Sequence, residues 1–415
     1  MKVTIIGGGN AGALTALHYG YQTRNDKNIE IEVIYDPEID TVPVGQAAEL
    51  SISQLLWAAC GTNWYQNSVK ATPKLGILYE NFSKKNREIY HPFPFNAVAM
   101  QMDPKYLQRY ILNSGLFTAK EGHVIDLDKV DSDVIFDCRG KNFHEDGGRI
   151  PKGQKIEYDS LYCPVNSVLL SRTPVRSIKN ILLWSRHVAT PDGWTFVIPN
   201  TTDSISYGYL YNSDITPMET AKTNFREVFP EITGEIVNLP FKSYIAKEPI
   251  RIDTNGRKII LNGNKLAFLE PMEATSMGFY IDVALLTHDW IFTKSDERQL
   301  FSHKNYFYDG TPEQLHFDHV TSNIKKMMTQ IHRFLSWHYV KGSVYDTPFW
   351  RTAQTESSTV FDEPDENFDN IVERLSKQQD VETRFDEISF DEHRRGYGHW
   401  GGCSIKLWYD KYINS

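Results

Sequence analysis

The hydrophobic pattern of the first 36 residues predicts a strand, a helix and a second strand. An apolar run, Lys2–Ile6, enters a glycine turn, and a helical stretch follows from about Ala11 to Arg24. The segment Ile29–Tyr35 alternates apolar and charged side chains, as a half-buried strand does, and closes on Asp36. Together these segments predict a βαβ unit at the start of the chain.

The rest of the chain predicts further helices and strands without an internal repeat or a low-complexity linker. Apolar residues at helical spacing predict helices over residues 50–60, from about Ser276 to Phe292, and over 319–341. Apolar, β-rich runs predict strands at Ser68–Tyr79, at Val134–Phe136, within Ile181–Tyr211 with turns at 191–193 and 201–203, and at Lys258–Asn262. The charged segment 357–395 predicts a solvated helical or irregular surface.

Composition narrows the class of protein. The chain has 415 residues, 40% of them hydrophobic, which is enough for one large or two modest domains. The net charge is −9 and no cluster of Lys and Arg marks a polyanion surface, so no nucleic-acid partner is expected. Four scattered cysteines without a CxxC pair indicate a reducing compartment and give no metal-site spacing. No apolar stretch approaches the ~20 residues of a membrane span, and the chain starts in a strand, so we expect a cytoplasmic protein without a signal peptide or membrane partner.

The glycine turn after the first strand carries a dinucleotide-binding pattern. Gly7, Gly9 and Gly12 satisfy GxGxxG, with Ala11 inside the motif at the start of the helix. The first glycine permits a tight turn, the second lets the backbone approach a pyrophosphate, and the third lets the helix pack on the strand. Asp36 ends the second strand, where a carboxylate accepts hydrogen bonds from ribose hydroxyls. The motif predicts a bound dinucleotide and leaves FAD and NAD open.

Four further segments resemble the flavin-dependent halogenases of the tryptophan-halogenase type. In family order they are Ser68–Leu75 (SVKATPKL), which is similar to the stretch with the catalytic lysine; Asp192–Pro199 (DGWTFVIP), similar to WxWxIP; Phe268–Ser276 (FLEPMEATS), similar to FLEPLEST; and Asp346–Trp350 (DTPFW). With the glycine motif they span roughly residues 1–350. Relatives encoded by bacteriophages, of the cyanophage kind, are similar in having a shorter chain, so the resemblance implies a phage-type member.

The resemblance implies a fold class and a reaction. The fold would be α/β, with a glutathione-reductase-like, Rossmann-type FAD-binding module interleaved with a mixed sheet and a helical substrate-binding region over residues 1–350. Residues 351–415 would form a mostly helical or irregular C-terminal segment packed on the main body. Reduced FAD, supplied by a separate NAD(P)H-dependent flavin reductase, would act with oxygen and a halide ion to form hypohalous acid. That acid would halogenate an electron-rich aromatic substrate.

The sequence departs from the family pattern at three places, of which the first bears on the distinction from a monooxygenase and the other two on the halide. Phe196 stands where the second Trp of WxWxIP belongs, Gly45-Gln46-Ala47-Ala48 replaces the GEAT-like segment, and Ala274-Thr275-Ser276 follows Glu273 in place of Ser-Thr-Gly. The last two lie where flavin and halide would bind. Since softer halides are more easily oxidised, we expect bromide or iodide to be used better than chloride.

The resemblance assigns the catalytic residues. Lys70 would lie on an alternating strand and point into the interior, where it would donate a hydrogen bond to hypohalous acid or become haloaminated. On position alone it is a solvated strand lysine, which is how we interpret Lys74. Glu273 would polarise the oxidant or take the proton that leaves the ring. Because it precedes a helix, Glu273 also fits the role of a capping acid.

Other candidates are less specific. The backbone amides of Thr275 and Ser276 open a helix and could bind halide, or the Thr275 hydroxyl could simply cap it. Gly45 and Arg139 would contact flavin, although Arg139 fits a surface position equally well. Trp194, Phe93 and Phe95 are candidates for the wall of the substrate site, and core packing is the ordinary role of such rings.

Two other functions stay open at this point. The first is an FAD-dependent aromatic monooxygenase that hydroxylates its substrate. The second is a catalytically idle flavin-binding protein. The products formed with halide present would separate the three.

Overall fold

The computed structural model describes residues 1–39, 41, 44–93, 97–141, 155–175, 183–201, 203–292, 312–362 and 373. The strands are β1 (Lys2–Ile6), β2 (Glu30–Tyr35), β3 (Gln46–Ala47), β4 (Thr72–Lys74), β5 (Gly76–Glu80), β6 (Glu88–Pro92), β7 (Ala99–Met102), β8 (Thr118–Glu121), β9 (Val134–Asp137), β10 (Tyr158–Ser160), β11 (Ser167–Pro174), β12 (Trp184–Thr190), β13 (Gly193–Thr201), β14 (Ser204–Tyr211), β15 (Val237–Pro240), β16 (Tyr244–Ala246), β17 (Ile250–Ile252), β18 (Lys258–Leu261) and β19 (Ala267–Phe268). The helices are α1 (Asn10–Gln22), α2 (Leu50–Cys60), α3 (Pro104–Leu112), α4 (Met218–Val228), α5 (Thr275–Phe292), α6 (Pro312–Trp337) and α7 (Pro348–Thr359), with 3-10 turns at Leu127–Lys129 and Gly263–Lys265.

The first sheet contains the βαβ unit at the start of the chain. Its six strands run in the order β17-β18-β9-β1-β2-β8, and all neighbours are parallel except the edge pair β17 and β18. Strand β1 is central, with Ile5 paired to Val33 on one side and to Phe136 on the other. Apolar residues fill β1 because both of its faces are covered, as in parallel sheets generally. The βαβ unit and the α/β fold class expected from the sequence are confirmed.

Helix α1 joins this sheet to the helical layer. Its residues from Ala11 to Gly20 are all buried, so it is covered on every side rather than along one stripe. The Tyr19 hydroxyl donates to the carbonyl of Ala284 on α5 at 3.0 Å. The long helix α5 therefore packs directly on the helix that begins at the glycine turn.

The second sheet is mixed and carries the other half of the core. Its seven strands run in the order β15-β11-β14-β13-β12-β5-β6, antiparallel except for the parallel pair β5 and β12. All nine residues of β13 are buried. Two three-stranded sheets, β3-β7-β4 and β10-β16-β19, complete the strands.

Several expected boundaries change in the structure. The single strand expected over Ser68–Tyr79 is a turn followed by two strands, β4 and β5. Leu75 separates them, and Gly76, which begins β5, has φ 155°. Helix α6 begins earlier and ends at Trp337, before the expected end at 341. The expected boundary at residue 350 falls inside α7, whose Trp350 is fully buried. Helix α7 therefore belongs to the main body, and most of 363–415 lies outside the described residues.

Candidate active site

The glycine turn has the shape that a pyrophosphate requires. Gly7 has φ 114°, and a Cβ there would stand 2.7 Å from the carbonyl oxygen of Cys138. A Cβ on Gly12 would overlap the carbonyl oxygen of Gly7, so only glycine lets α1 start this close to β1. A Cβ on Gly9 would meet no described heavy atom within 4 Å, and Gly9 caps α1 without a side-chain hydrogen bond. The helix N-terminus thus begins at a glycine with free space beside its Cα, which fits the close approach of a phosphate group. Ala11, also in the motif, is buried in α1.

Asp36 is the acid that the glycine motif predicts for a bound ribose. It follows β2, and its Oδ2 is 2.5 Å from Nδ1 of His123 while its Oδ1 accepts the backbone N–H of Glu38 at 2.9 Å. The hydrogen bond from His123, followed by that from Glu38, lowers the pKa of Asp36 below its ordinary value. The carboxylate stays ionised and able to accept hydrogen bonds.

Gly45 and Arg139, both expected to contact flavin, form hydrogen bonds within the protein. The Gly45 amide donates to Oγ of Ser206 at 3.1 Å, and a Cβ there would overlap the side-chain oxygen of Asn200. Arg139 is not at the surface: its side chain is 4% exposed, and it forms two hydrogen bonds of 2.8 Å with the Asp137 carboxylate.

The third nitrogen of the Arg139 guanidinium also donates to protein groups. Nη1 donates to the carbonyls of Val124 at 2.8 Å and Ile125 at 3.0 Å. Burial opposes ionisation of Asp137, but the hydrogen bond and charge of Arg139 bring the pKa of that carboxyl below its ordinary value. The structure thus gives Arg139 the role of fastening the 124–125 loop to the end of β9.

The expected placement of Lys70 is wrong. The residue is exposed, has φ 56° and lies in a turn before β4, with Nζ 4.5 Å from the centre of the Tyr106 ring. The side chain of Asn67 brackets this turn, accepting the Ala71 amide at 2.9 Å and donating to the Ala71 carbonyl at 2.7 Å. This local bonding competes with extended structure and interrupts the alternation that predicted a strand through Lys70.

Lys74, which we interpreted as a solvated lysine, is the buried one. It ends β4, is 0% exposed, and its Nζ donates to the Ala48 carbonyl at 3.1 Å. Nζ also lies 5.3 Å from the centre of the Phe93 ring. Burial lowers the pKa of Lys74 to about 8, although the charges of Glu49 and Glu273 raise it. The lysine that shares the interior with Glu273 is therefore Lys74.

Glu273 is held at one oxygen. The residue is 0% exposed, and its Oε1 accepts the hydroxyl of Tyr79 and lies 2.6 Å from Nε2 of His338. Its Oε2 is buried and has no hydrogen-bond partner among the described residues. Burial opposes ionisation, but the hydrogen bond and charge of His338, then the charge of His91 and the Tyr79 hydroxyl, lower the pKa of Glu273. Glu273 is a buried carboxylate with one oxygen left to accept.

Neutral and acidic groups surround this pair. Burial lowers the pKa of His91 to about 4 and that of His187 to about 3, so both imidazoles are neutral near pH 7. Burial also raises the pKa of Glu49, which precedes α2 and is 1% exposed. Sequence reasoning missed these groups because they come from separate elements. For Lys74 a signal existed, since it comes directly before the apolar run of β5.

A second buried carboxylate lies beside the first. Glu270 Oε2 accepts Nε1 of Trp194 at 2.9 Å and the Tyr339 hydroxyl at 2.6 Å. Burial raises the pKa of Glu270 to about 7 against these hydrogen bonds. The Trp194 ring is fully buried, with its centre 4.8 Å from that of His187. Trp194 thus borders the interior that holds Glu273.

Phe93 and the residues after Glu273 complete the expected set. Phe93 is buried next to Lys74, whereas Phe95 lies outside the described residues. Thr275 and Ser276 begin α5, which has no acidic residue in its first turn. Their amides remain candidates for halide, because helix N-termini attract anions.

Comparisons with known proteins agree on one family. A family model described as tryptophan halogenase matches residues 2–121 and 119–399. A curated tryptophan 6-halogenase of Streptomyces albogriseolus, ThaL, is 25% identical over 232 residues, which cover 53% of this chain and 37% of that protein. The chain thus matches little more than a third of that relative's length.

Solved structures show the same fold. The tryptophan 6-halogenase SttH of Streptomyces toxytricini is 17% identical, with a TM-score of 0.70 over 90% of this chain and 84% of that one. A tryptophan halogenase of Shewanella frigidimarina is 16% identical, with a TM-score of 0.73 over 99% and 89%. At these low identities the solved structures show a shared fold only. The family model, in contrast, matches most of the sequence. The chain belongs to the tryptophan halogenase family.

Proposed function

We propose that this protein is a flavin-dependent halogenase that uses reduced FAD, oxygen and a halide ion to halogenate an electron-rich aromatic substrate. One observation carries the proposal: a buried lysine, Lys74, and a buried carboxylate with one unbonded oxygen, Glu273, share the interior just before α5 begins. Family membership and the glycine turn support the flavin. The relatives ThaL and SttH are tryptophan 6-halogenases by name, which makes indoles the first substrates to examine.

The dinucleotide would be held by the turn Gly7–Gly12 and by Asp36, whose geometry fits pyrophosphate and ribose. When bound and reduced, the flavin supplies the two electrons that activate oxygen for oxidation of the halide. Halide would bind at the amides of Thr275 and Ser276. The protein's own contribution is to hold these partners in a site from which water is excluded.

Lys74 is proposed to take the catalytic role that the resemblance had given to Lys70. Its ammonium, buried and pointed into the interior, would donate a hydrogen bond to hypohalous acid and so polarise the oxygen–halogen bond. As the ring carbon forms its bond to the halogen, the oxygen leaves as hydroxide. The proton that the ring then loses would pass to Oε2 of Glu273.

Several finer features belong to the same proposal. We propose that bromide or iodide is used better than chloride, because Ala274-Thr275-Ser276 replaces the family's Ser-Thr-Gly at the halide position. A separate NAD(P)H-dependent flavin reductase would supply reduced FAD. A cytoplasmic location and a bacteriophage origin remain predictions. Among the described residues, no helix is long and apolar enough to cross a membrane.

The test combines FAD, a flavin reductase, NADH, halide and a panel of indoles and phenols, with products read by mass spectrometry. Halogenated product that disappears in Lys74→Met and Glu273→Gln, but persists in Lys70→Met, supports the proposal. A hydroxylated product that forms without halide would identify a monooxygenase. Absence of any product across the panel, with flavin bound, would favour an idle flavin-binding protein. Competition at equal halide concentrations tests the halide preference, and mainly chlorinated product would contradict it.

A further inference from the structure

His338 is tied at both nitrogens of its ring. It lies directly after the end of α6, is 0% exposed, and its Nδ1 is 2.8 Å from the carbonyl oxygen of Phe334. A carbonyl only accepts hydrogen bonds, so Nδ1 must carry a proton. Its Nε2 is 2.6 Å from Oε1 of Glu273.

The Phe334 carbonyl therefore limits the pair to two states. With a proton on Nδ1, the ring is either an imidazolium that donates from Nε2 to a carboxylate, or a neutral imidazole that accepts from a carboxylic acid. The Tyr79 hydroxyl donates to the same Oε1. Two donors that converge on one oxygen favour the carboxylate, since an ionised acceptor forms the stronger hydrogen bonds.

We propose that His338 is a positioning residue that keeps Glu273 ionised inside the protein and turns the carboxylate so that Oε2 alone is left to receive the substrate's proton. A lone carboxylate would be very costly at this depth, whereas the imidazolium–carboxylate pair is neutral overall. The inference deepens the proposed function and rests on it for the identity of the proton donor. The ionisation of Glu273 does not depend on the reaction.

The other ionisable groups near the pair belong to several elements. Those that act on Glu273, or that it acts on, are Glu49 before α2, Lys74 on β4, Tyr79 on β5, His91 on β6, His187 on β12 and His338 itself. Burial holds the pKa values of His91 and His187 at about 4 and about 3, so they stay neutral. Lys74 is the remaining cation and titrates on the alkaline side, where its pKa is about 8. Glu270 acts on the pair through the charge of His338, and burial raises its pKa to about 7. The titration of Glu273 is therefore measured on its carboxyl group as well as on activity.

The test uses His338→Gln, with Tyr79→Phe as the matched variant. Glutamine keeps a donor near Glu273 but cannot carry a charge, so the pKa of Glu273 should rise by about 1–2 pH units. The fall in kcat at acid pH should shift to higher pH by the same amount, while KM for the aromatic substrate changes little. Tyr79→Phe removes a hydrogen bond but no charge, and its shift should be smaller.

Infrared titration without flavin or halide reads the carboxyl directly. The carbonyl band of protonated Glu273 is assigned by its loss in Glu273→Gln. In the unaltered protein this band should be absent at neutral pH, and its presence there would overturn the inference even if no His338 variant folds. An unchanged Glu273 titration in folded His338→Gln would overturn it as well. If the band behaves as expected but no aromatic is halogenated, His338 keeps its role and the proposed function fails.

Discussion

A Lys74→Met substitution removes the buried ammonium and keeps a side chain of similar length. In the folded protein, burial lowers the pKa of Lys74 from 10.5 to about 8. If the ammonium is the form that binds the oxidant, about nine-tenths of the enzyme is active at pH 7 and about a tenth at pH 9. Halogenation should therefore fall roughly tenfold over this range and should be absent in Lys74→Met.

The same pKa predicts a change in stability that needs no substrate. Between about pH 8 and 10.4 the unfolded chain binds a proton at this lysine that the folded chain has lost, so the contribution of Lys74 to stability rises with pH. At about 1.4 kcal/mol per pH unit the full effect is roughly 3 kcal/mol. The difference in unfolding free energy between the unaltered protein and Lys74→Met should change by that order between pH 7 and 10.

Urea unfolding at several pH values measures the stability effect, and product formation at saturating reduced flavin measures the kinetic one. Lys70→Met is the matched control, because Lys70 is exposed. Lys70→Met should keep the fall in halogenation between pH 7 and 9, and it should change the free energy of unfolding by less than about 0.5 kcal/mol. Halogenation that falls only above pH 10 would refute the reasoning. So would halogenation that survives in Lys74→Met and is lost in Lys70→Met.

Two further predictions separate cofactor contacts from structural ones. Gly12→Ala drives a Cβ into the Gly7 carbonyl, so it should lower the free energy of unfolding by about 1–3 kcal/mol and also weaken FAD binding. In Gly9→Ala the new Cβ meets no described atom within 4 Å, so this variant should fold normally and lose only affinity for FAD. Thermal unfolding measures the stability, and flavin fluorescence titration measures the affinity. Arg139→Ala removes the ion-pair partner of the buried Asp137 carboxylate and should destabilise the fold by about 3–5 kcal/mol. The affinity of the folded fraction for FAD should not change. A stable Arg139→Ala variant that binds FAD poorly would show that Arg139 contacts the cofactor.

The sequence by itself determined the βαβ unit with its glycine turn at the start of the chain. Strand, glycine turn, helix and acid are encoded within 36 consecutive residues, and each follows from local chemistry: apolar alternation, glycines where a Cβ has no room, and a carboxylate at a strand end. The helix that starts after Glu273 was predictable for the same reason. Its apolar residues lie at helical spacing along one continuous segment.

Which lysine faces the interior was decided only by the tertiary structure. Lys70 and Lys74 have equal parity in an uninterrupted strand, so alternation could not separate them. The turn bonded by Asn67 breaks the strand, and β4 then pairs with β7, which buries Lys74. A two-residue period carries no information about where a strand begins.

The environment of Glu273 was likewise decided by tertiary structure alone. Tyr79 and His338 lie 194 and 65 residues away along the chain, and the fold brings both to one carboxylate oxygen. The sequence thus supplied the carboxylate, while the fold determined its ionisation and its accepting oxygen. Burial and neighbouring charge set the pKa of a buried group, and both arise from residues distant in sequence.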